Sequence, residues 1–304
     1  MFDIISVGHF AIDSIFLPDR NKPFVVLGGS VAYASFSARR LEATVSIVSK
    51  IGGDFPDAYL WRLEQEGIDL SGVVRVEDAQ TTRFELKYSN DLSKRRLRLE
   101  SKAPSITVDN LPESLKAKTI LVAPIAGEIS YEVVKKLRSC ARWLCLDPQG
   151  LVRSFSEKGN VIRGSITEKG MLELVDIYKS SLDEIKAATG MSKLESAIKA
   201  VHDYGVETVI VTLGMKGVVL SVEETAYKIP AYESKKVVDP TGAGDAFVGG
   251  FLAEYIRGES LLWCACVGSA TASFAVESAG PTLFGRKTEI HQRARVLYEK
   301  RNYR

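Results

Sequence analysis

Cysteine and histidine are scarce in this chain of 304 residues, with four of one and three of the other. Neither is spaced to hold a metal. Cys140, Cys145, Cys264 and Cys266 make no C-x-x-C pair, and His9, His202 and His291 are scattered. This argues against a zinc site and for small buried thiols in a reducing compartment. Charge of one sign is also lacking. A net charge of +2 gives no electrostatic case for nucleic acid or a membrane surface as partner. The longest run without charge, residues 260–276, is too short to span a bilayer and is rich in Ser, Thr, Ala and Cys, so it reads as a buried helix. The N-terminus lacks the basic region of a secretory signal and reads as a first strand, so the expected location is cytoplasmic. Repeats and Pro/Gly/Ser-rich linkers are missing too, and residues 1–304 are expected to form one domain. Asn and Gln are scarce, a bias seen in heat-adapted proteins.

What is present is an alternation. Hydrophobic residues make up 45% of the chain and charged residues 26%, ordinary for a globular protein. Apolar β-branched runs at 3–7, 44–48, 119–123, 143–147, 176–179 and 208–213 read as strands. Amphipathic runs at 31–40, 57–66, 131–140, 182–189, 194–204, 245–257, 261–277 and 287–299 read as helices. The expected class is α/β: a doubly wound, mostly parallel sheet with helices on both faces. Residues 12–27 and 73–100 break the pattern with alternating polar and apolar positions, as in Arg83-Phe84-Glu85-Leu86-Lys87-Tyr88. They predict a small, half-exposed antiparallel sheet set beside the main one. Its apolar face needs a cover, either a substrate or a second subunit, and a homodimer through this sheet is expected. Lys94-Arg95-Arg96 and Arg98 read as its solvated face and turn, with a nucleic-acid or phosphate patch as the alternative.

The sharpest local signal is Asp239-Pro240-Thr241-Gly242-Ala243-Gly244-Asp245. A strand end leads into a glycine turn and then a helix whose apolar stripe runs from Phe247 to Ile256. Gly242 and Gly244 allow a sharp turn and a close approach to a ligand. Free N–H groups and the helix dipole at such a start form an anion site suited to phosphate. Asp245 beside it can accept the proton of an attacking hydroxyl. The same residues also fit a plain tight loop. The run is neither a G-x-x-x-x-G-K-[ST] loop nor a complete G-x-G-x-x-G loop.

This turn resembles the C-terminal signature of the ribokinase (PfkB) family of carbohydrate kinases, and further matches follow in family order along nearly the whole chain. The resemblance implies a ribokinase-like fold with a small β lid, a kinase reaction using ATP and Mg²⁺, Asp245 as base, and the backbone of Gly242, Ala243 and Gly244 as anion hole. Asp13 after Val7-Gly8-His9 resembles the acidic residue that binds acceptor hydroxyls, and Gly28-Gly29 the pair that lets backbone approach a sugar. Gly52-Gly53-Asp54 resembles the family's G-x-D, or is a plain turn.

Further along the chain, Asp147-Pro148-Gln149-Gly150 follows a strand end, where open sheets bind ligands. Gln149 and Arg153 are therefore candidate acceptor contacts. Ser181-Leu182-Asp183-Glu184 stands where the family carries N-x-x-E, which implies Glu184 as a Mg²⁺ residue acting through water. The same four residues also read as a capping box. Thr212-Leu213-Gly214-Met215-Lys216-Gly217 resembles the nucleotide-binding turn. With it, Lys179, Thr241, Gly242, Gly244, Ala270 and Gly280 are expected against ATP. Asp239, with Thr241, is a candidate for a monovalent cation. Gly28-Gly29 followed by Tyr33, Thr81-Thr82, the 96–99 alternation and Asp-x-Gln-Gly-x-x-Arg also resemble archaeal myo-inositol kinases of the family. The acceptor expected is thus a small sugar or cyclic polyol. A nucleoside kinase and a non-catalytic sugar-binding protein are the alternatives.

Overall fold

The computed structural model describes residues 1–92, 95–223, 225–234 and 236–300. Lys94 of the basic run lies outside them. The chain runs β1 (Phe2–Val7), β2 (Ala11–Phe16), β3 (Phe24–Gly28), α1 (Ser30–Arg40), β4 (Val45–Gly52), α2 (Asp57–Gln65), β5 (Ile68–Val76), β6 (Arg83–Tyr88) and β7 (Arg95–Ser101). It continues β8 (Ala117–Val122), α3 (Tyr131–Arg138), β9 (Ala141–Leu146), β10 (Arg153–Phe155), β11 (Val161–Arg163), β12 (Ile177–Ser181), α4 (Leu182–Thr189), α5 (Leu194–His202) and β13 (Thr208–Thr212). It ends β14 (Val218–Val222), β15 (Thr225–Ile229), α6 (Ala243–Tyr255), α7 (Leu261–Ala275) and α8 (Lys287–Lys300).

Nine strands form one sheet in the order β15-β14-β13-β12-β9-β8-β1-β4-β5. It is parallel from β13 to β5, and the hairpin of β14 and β15 is its antiparallel edge. Successive strand residues point to opposite faces, and both faces are apolar, as a covered parallel sheet requires. Ile4, Leu121, Cys145, Ile177 and Ile210 pack on one side with α1, α6 and α7. Their neighbours Ile5, Ile120, Leu144, Tyr178 and Val209 pack on the other with α3, α4 and α5. No helix among the described residues is long and apolar enough to cross a membrane.

The small sheet is present, with two corrections. Its order is β3-β2-β6-β7, and β2 runs parallel to β6, so it is mixed rather than antiparallel. Residues 73–76 do not belong to it. They lie in β5, which pairs with β4 at the edge of the main sheet. An edge strand with one partner is half exposed, and its alternation imitates a lid strand. The lid's apolar face is also covered from within the chain, because Ile15, Phe84 and Leu86 pack with Ile125, Ala126 and Phe155. Its outer face carries Glu85, paired to Lys87 and Arg98.

Candidate active site

The cleft lies between the C-terminal ends of the parallel strands and the inner face of the lid. Counted with the solvent in its open mouth, the space is about 420 Å³. Thr241, Gly242 and Asp245 form one wall. The turn before α6 is fixed by Asp239, whose Oδ1 accepts from Thr241 N at 2.9 Å and Thr241 Oγ1 at 2.6 Å. Gly242 has φ +76°, and a Cβ there would stand 2.2 Å from the Tyr33 ring. Only glycine meets both demands. The first helical bond runs from Ala246 N to Gly242 O. Ala243 N reaches Pro240 O only at 3.4 Å, and among the described residues the N–H groups of Gly242, Gly244 and Asp245 have no partner. These are the unsatisfied donors of a helix start. The Asp245 carboxylate, half-buried beside them, likewise makes no hydrogen bond or ion pair among the described residues.

The opposite wall brings the early motifs together. Asp13 on β2 is 5% exposed, and its Oδ1 has no partner among the described residues. Burial, followed by the charges of Asp239 and Asp245 and against that of Arg95, pushes its carboxyl up to about 7. Gly28 serves Asp13, since a Cβ on it would sit 2.1 Å from Asp13 Oδ2. Gly29, φ +93°, starts α1. Tyr33 is buried, and its hydroxyl has no partner among the described residues. Burial and the charges of Asp13, Asp239 and Asp245 push that phenol well above its ordinary value.

The mid-chain candidates form a bonded chain. Gln149 Nε2 donates to Ser30 Oγ at 2.9 Å, and its Oε1 accepts from Arg153. Arg153 Nη2 lies 3.9 Å from Glu184 Oε1. Glu184 Oε2 accepts from Ser181 N at 2.8 Å, which completes the capping box. Burial opposes the charge of Glu184, but Arg153, Lys179 and the Ser181 bonds hold its carboxyl low. Burial lowers Arg153 to about 10, so it stays a cation at neutral pH. Among the described residues no three His, Cys, Asp or Glu gather to hold a metal alone.

Several expected nucleotide contacts have other partners. Lys179 is 3% exposed and its Nζ pairs with Asp147 Oδ2 at 2.5 Å. Burial disfavours its charge, yet Asp147, then Asp245 and Glu184, hold the ammonium well above its ordinary range. It lies under the glycine turn, where a Cβ on Gly244 would come within 2.9 Å of Nζ. Ala270 is wholly buried in the core, and Gly280 packs against Val26. Thr212 bonds Ser180 O. Gly214 and Lys216 form a short 3-10 turn closed by Gly217, φ +89°. None of these seven residues lines this cleft.

Arg95 and Tyr88 are the site residues that the charge-run reading missed. Arg95 is exposed as a residue, but it also lines the cleft. Tyr88 faces it across the strand pair and bonds both Arg95 and Thr241 Oγ1, the latter at 2.8 Å. Period-two alternation is the signal that finds them. Arg95, Leu97 and Leu99 share one face with Tyr88, Leu86 and Phe84. Arg96 and Arg98 share the other, bonded to Asn160 and to Glu85 and Glu100.

Residues 1–288 match the family described as pfkB family carbohydrate kinase. A cytidine kinase of Thermococcus kodakarensis is 30% identical over 283 residues, spanning 92% of this chain and 98% of that protein. An inositol 3-kinase of Arabidopsis thaliana is 26% identical over 292 residues, spanning 92% of this chain and 76% of that one. Among solved structures, a pyrophosphate-dependent myo-inositol-1 kinase converted into a myo-inositol-3 kinase by two substitutions to leucine superposes with TM-score 0.82 at 20% identity. The match covers 97% of this chain and 99% of that one.

Proposed function

From the premise that this chain belongs to the PfkB family of carbohydrate kinases, phosphotransferases acting on hydroxyl groups of sugars or nucleosides, we propose that it phosphorylates a small sugar or cyclic polyol from ATP. The observation that carries this reading is the unpaired Asp245 carboxylate beside the unbonded N–H groups of Gly242 and Gly244. The acceptor hydroxyl gives its proton to Asp245 as its oxygen bonds the γ-phosphorus. The bond from that phosphorus to the β-phosphate oxygen breaks, and ADP leaves with the electron pair. The helix-start amides hold the phosphoryl oxygens. Mg²⁺, when bound, would supply charge neutralisation for the donor. Glu184, held ionised by Arg153, Lys179 and the Ser181 bonds, would fit it through water. Asp239 Oδ2, buried and unpartnered, suits a monovalent cation.

Asp13 Oδ1 and Tyr33 Oη are buried polar atoms without partners among the described residues, and such atoms cost free energy until bonded. An acceptor dense in hydroxyls satisfies them, while Phe84, Leu86, Leu97 and Ile125 cover an apolar ring face. In the inositol kinase named above, the two leucines stand eleven positions apart. Leu86 and Leu97 have that spacing and face each other across β6 and β7. In this reading they set which hydroxyl meets Asp245. The cytidine kinase relative supports a nucleoside as the second reading. ATP and Mg²⁺ with a panel of inositols, pentoses, ketohexoses and nucleosides decides between them. ADP release dependent on an inositol or sugar is expected. Release with nucleosides alone overturns the polyol, and release with no acceptor at all overturns the kinase.

A further inference from the structure

Of the two cations that line the cleft among the described residues, Arg95 is the one that the sequence motifs do not explain. Arg153 is tied to Gln149, Ile125 O and Glu184, and Lys179 to Asp147. Arg95 is carried by the lid and meets Tyr88, whose hydroxyl also bonds Thr241 in the glycine turn. The guanidinium thus stands on the turn side of the cleft, which also holds Asp245, Thr241 and Gly242. Its charge lies in the field of Asp245 and Glu184, neither of which pairs with it. A planar guanidinium with several donors suits phosphoryl oxygens. The amides of the glycine turn supply only partial positive charge.

Resting on the kinase reading, the geometry points to Arg95 as a catalytic residue that contacts the phosphoryl group in flight. The lid then closes an electrostatic cage whose other half is the start of α6. The amides bind one side of the group and Arg95 the other. Only the closed lid offers both, so phosphate transfer to water is disfavoured while the acceptor is absent. The step is the one already written, with Arg95 neutralising charge and exchanging no proton.

The test uses Arg95→Met, Arg95→Ala and Arg95→Lys in the full chain. With the acceptor identified by the panel, Arg95→Met is expected to lose kcat by about 10² or more, with acceptor KM changed less than about threefold. Arg95→Lys falls between the two, and millimolar guanidinium chloride restores part of the rate of Arg95→Ala. Unchanged kcat with acceptor KM raised tenfold makes Arg95 an acceptor ligand and overturns the proposal. Calorimetry with inorganic tripolyphosphate needs no turnover. Roughly tenfold weaker binding by Arg95→Met supports the phosphate contact, and equal binding overturns it. A wild-type protein inactive with every acceptor removes the kinase reading, and the tripolyphosphate result still decides whether Arg95 meets phosphate.

Discussion

Asp147 and Asp245 both stand where a C-terminal strand end or turn opens on the cleft, and they are treated oppositely. Asp147 is 1% exposed and sealed to Lys179 at 2.5 Å. Asp245 is half-buried and bonded to nothing among the described residues. Ser30, Gln149, Arg153, Glu184 and Ser181 extend the sealed side as one bonded chain. Asp13 Oδ1 and Tyr33 Oη extend the open side. A buried charge with a partner holds the site's shape. A charge or donor left without one costs stability in the empty protein and is recovered by a ligand.

Breaking the open side costs activity most. Asp245→Asn is expected to bind ATP normally and lose turnover by about 10² to 10⁴, measured as steady-state ADP release. Breaking the sealed side costs folding instead. Lys179→Met leaves Asp147 buried and unpaired, at a cost of about 3–5 kcal/mol in denaturant unfolding. Adding Asp147→Asn should recover much of that loss. A double mutant as unstable as the sum of the two singles would deny that the pair is the scaffold.

Asp13 sharpens the contrast through pH. Its folded carboxyl is raised to about 7, so folding binds its proton more tightly than the unfolded chain does. The charge therefore costs stability above the ordinary carboxylate range, increasingly up to pH 7 and constantly beyond, by on the order of 4 kcal/mol. Asp13→Asn is expected to melt higher than wild type at pH 8 and equally at pH 4. The wild-type acceptor KM should rise roughly tenfold per unit below pH 7 while the donor KM does not. A flat acceptor KM from pH 5.5 to 8.5 would separate Asp13 from acceptor binding. The smallest effect is at the seam between the two regions. Tyr88→Phe removes the hydroxyl that bonds Thr241 and Arg95, at about 0.5–1.5 kcal/mol for each bond, readable as a shift in unfolding midpoint.

Local chemistry was legible in the sequence, and pairing across the sheet was not. The β1, β9 and β13 runs, α4 and the glycine turn before α6 fall within about two residues of expectation, because periodicity and turn glycines are local signals. The partnership of Lys179 with Asp147 follows from β12 lying beside β9, an order no local pattern states. Ser181 and Glu184 do form a capping box, yet the pull of Arg153 on Glu184 comes from a distant segment. Residues 73–76 misled because an edge strand of the main sheet carries the alternation of a lid strand. Arg95 was hidden by its neighbours: a basic run suggests solvent, and only strict alternation separates it from Arg96 and Arg98.

The central claim, that phosphate docks on the amides at the start of α6 beside a free carboxylate, has a direct spectroscopic test. Nitrogen-15 NMR should record the N–H signals of Gly242, Gly244 and Asp245 as ATP and Mg²⁺ are added to the wild-type protein. Large downfield proton shifts at these three, greater than at the amides of Gly214 and Gly217, are the predicted result. Signals at the α6 start that stay in place while ATP binds elsewhere would contradict the account.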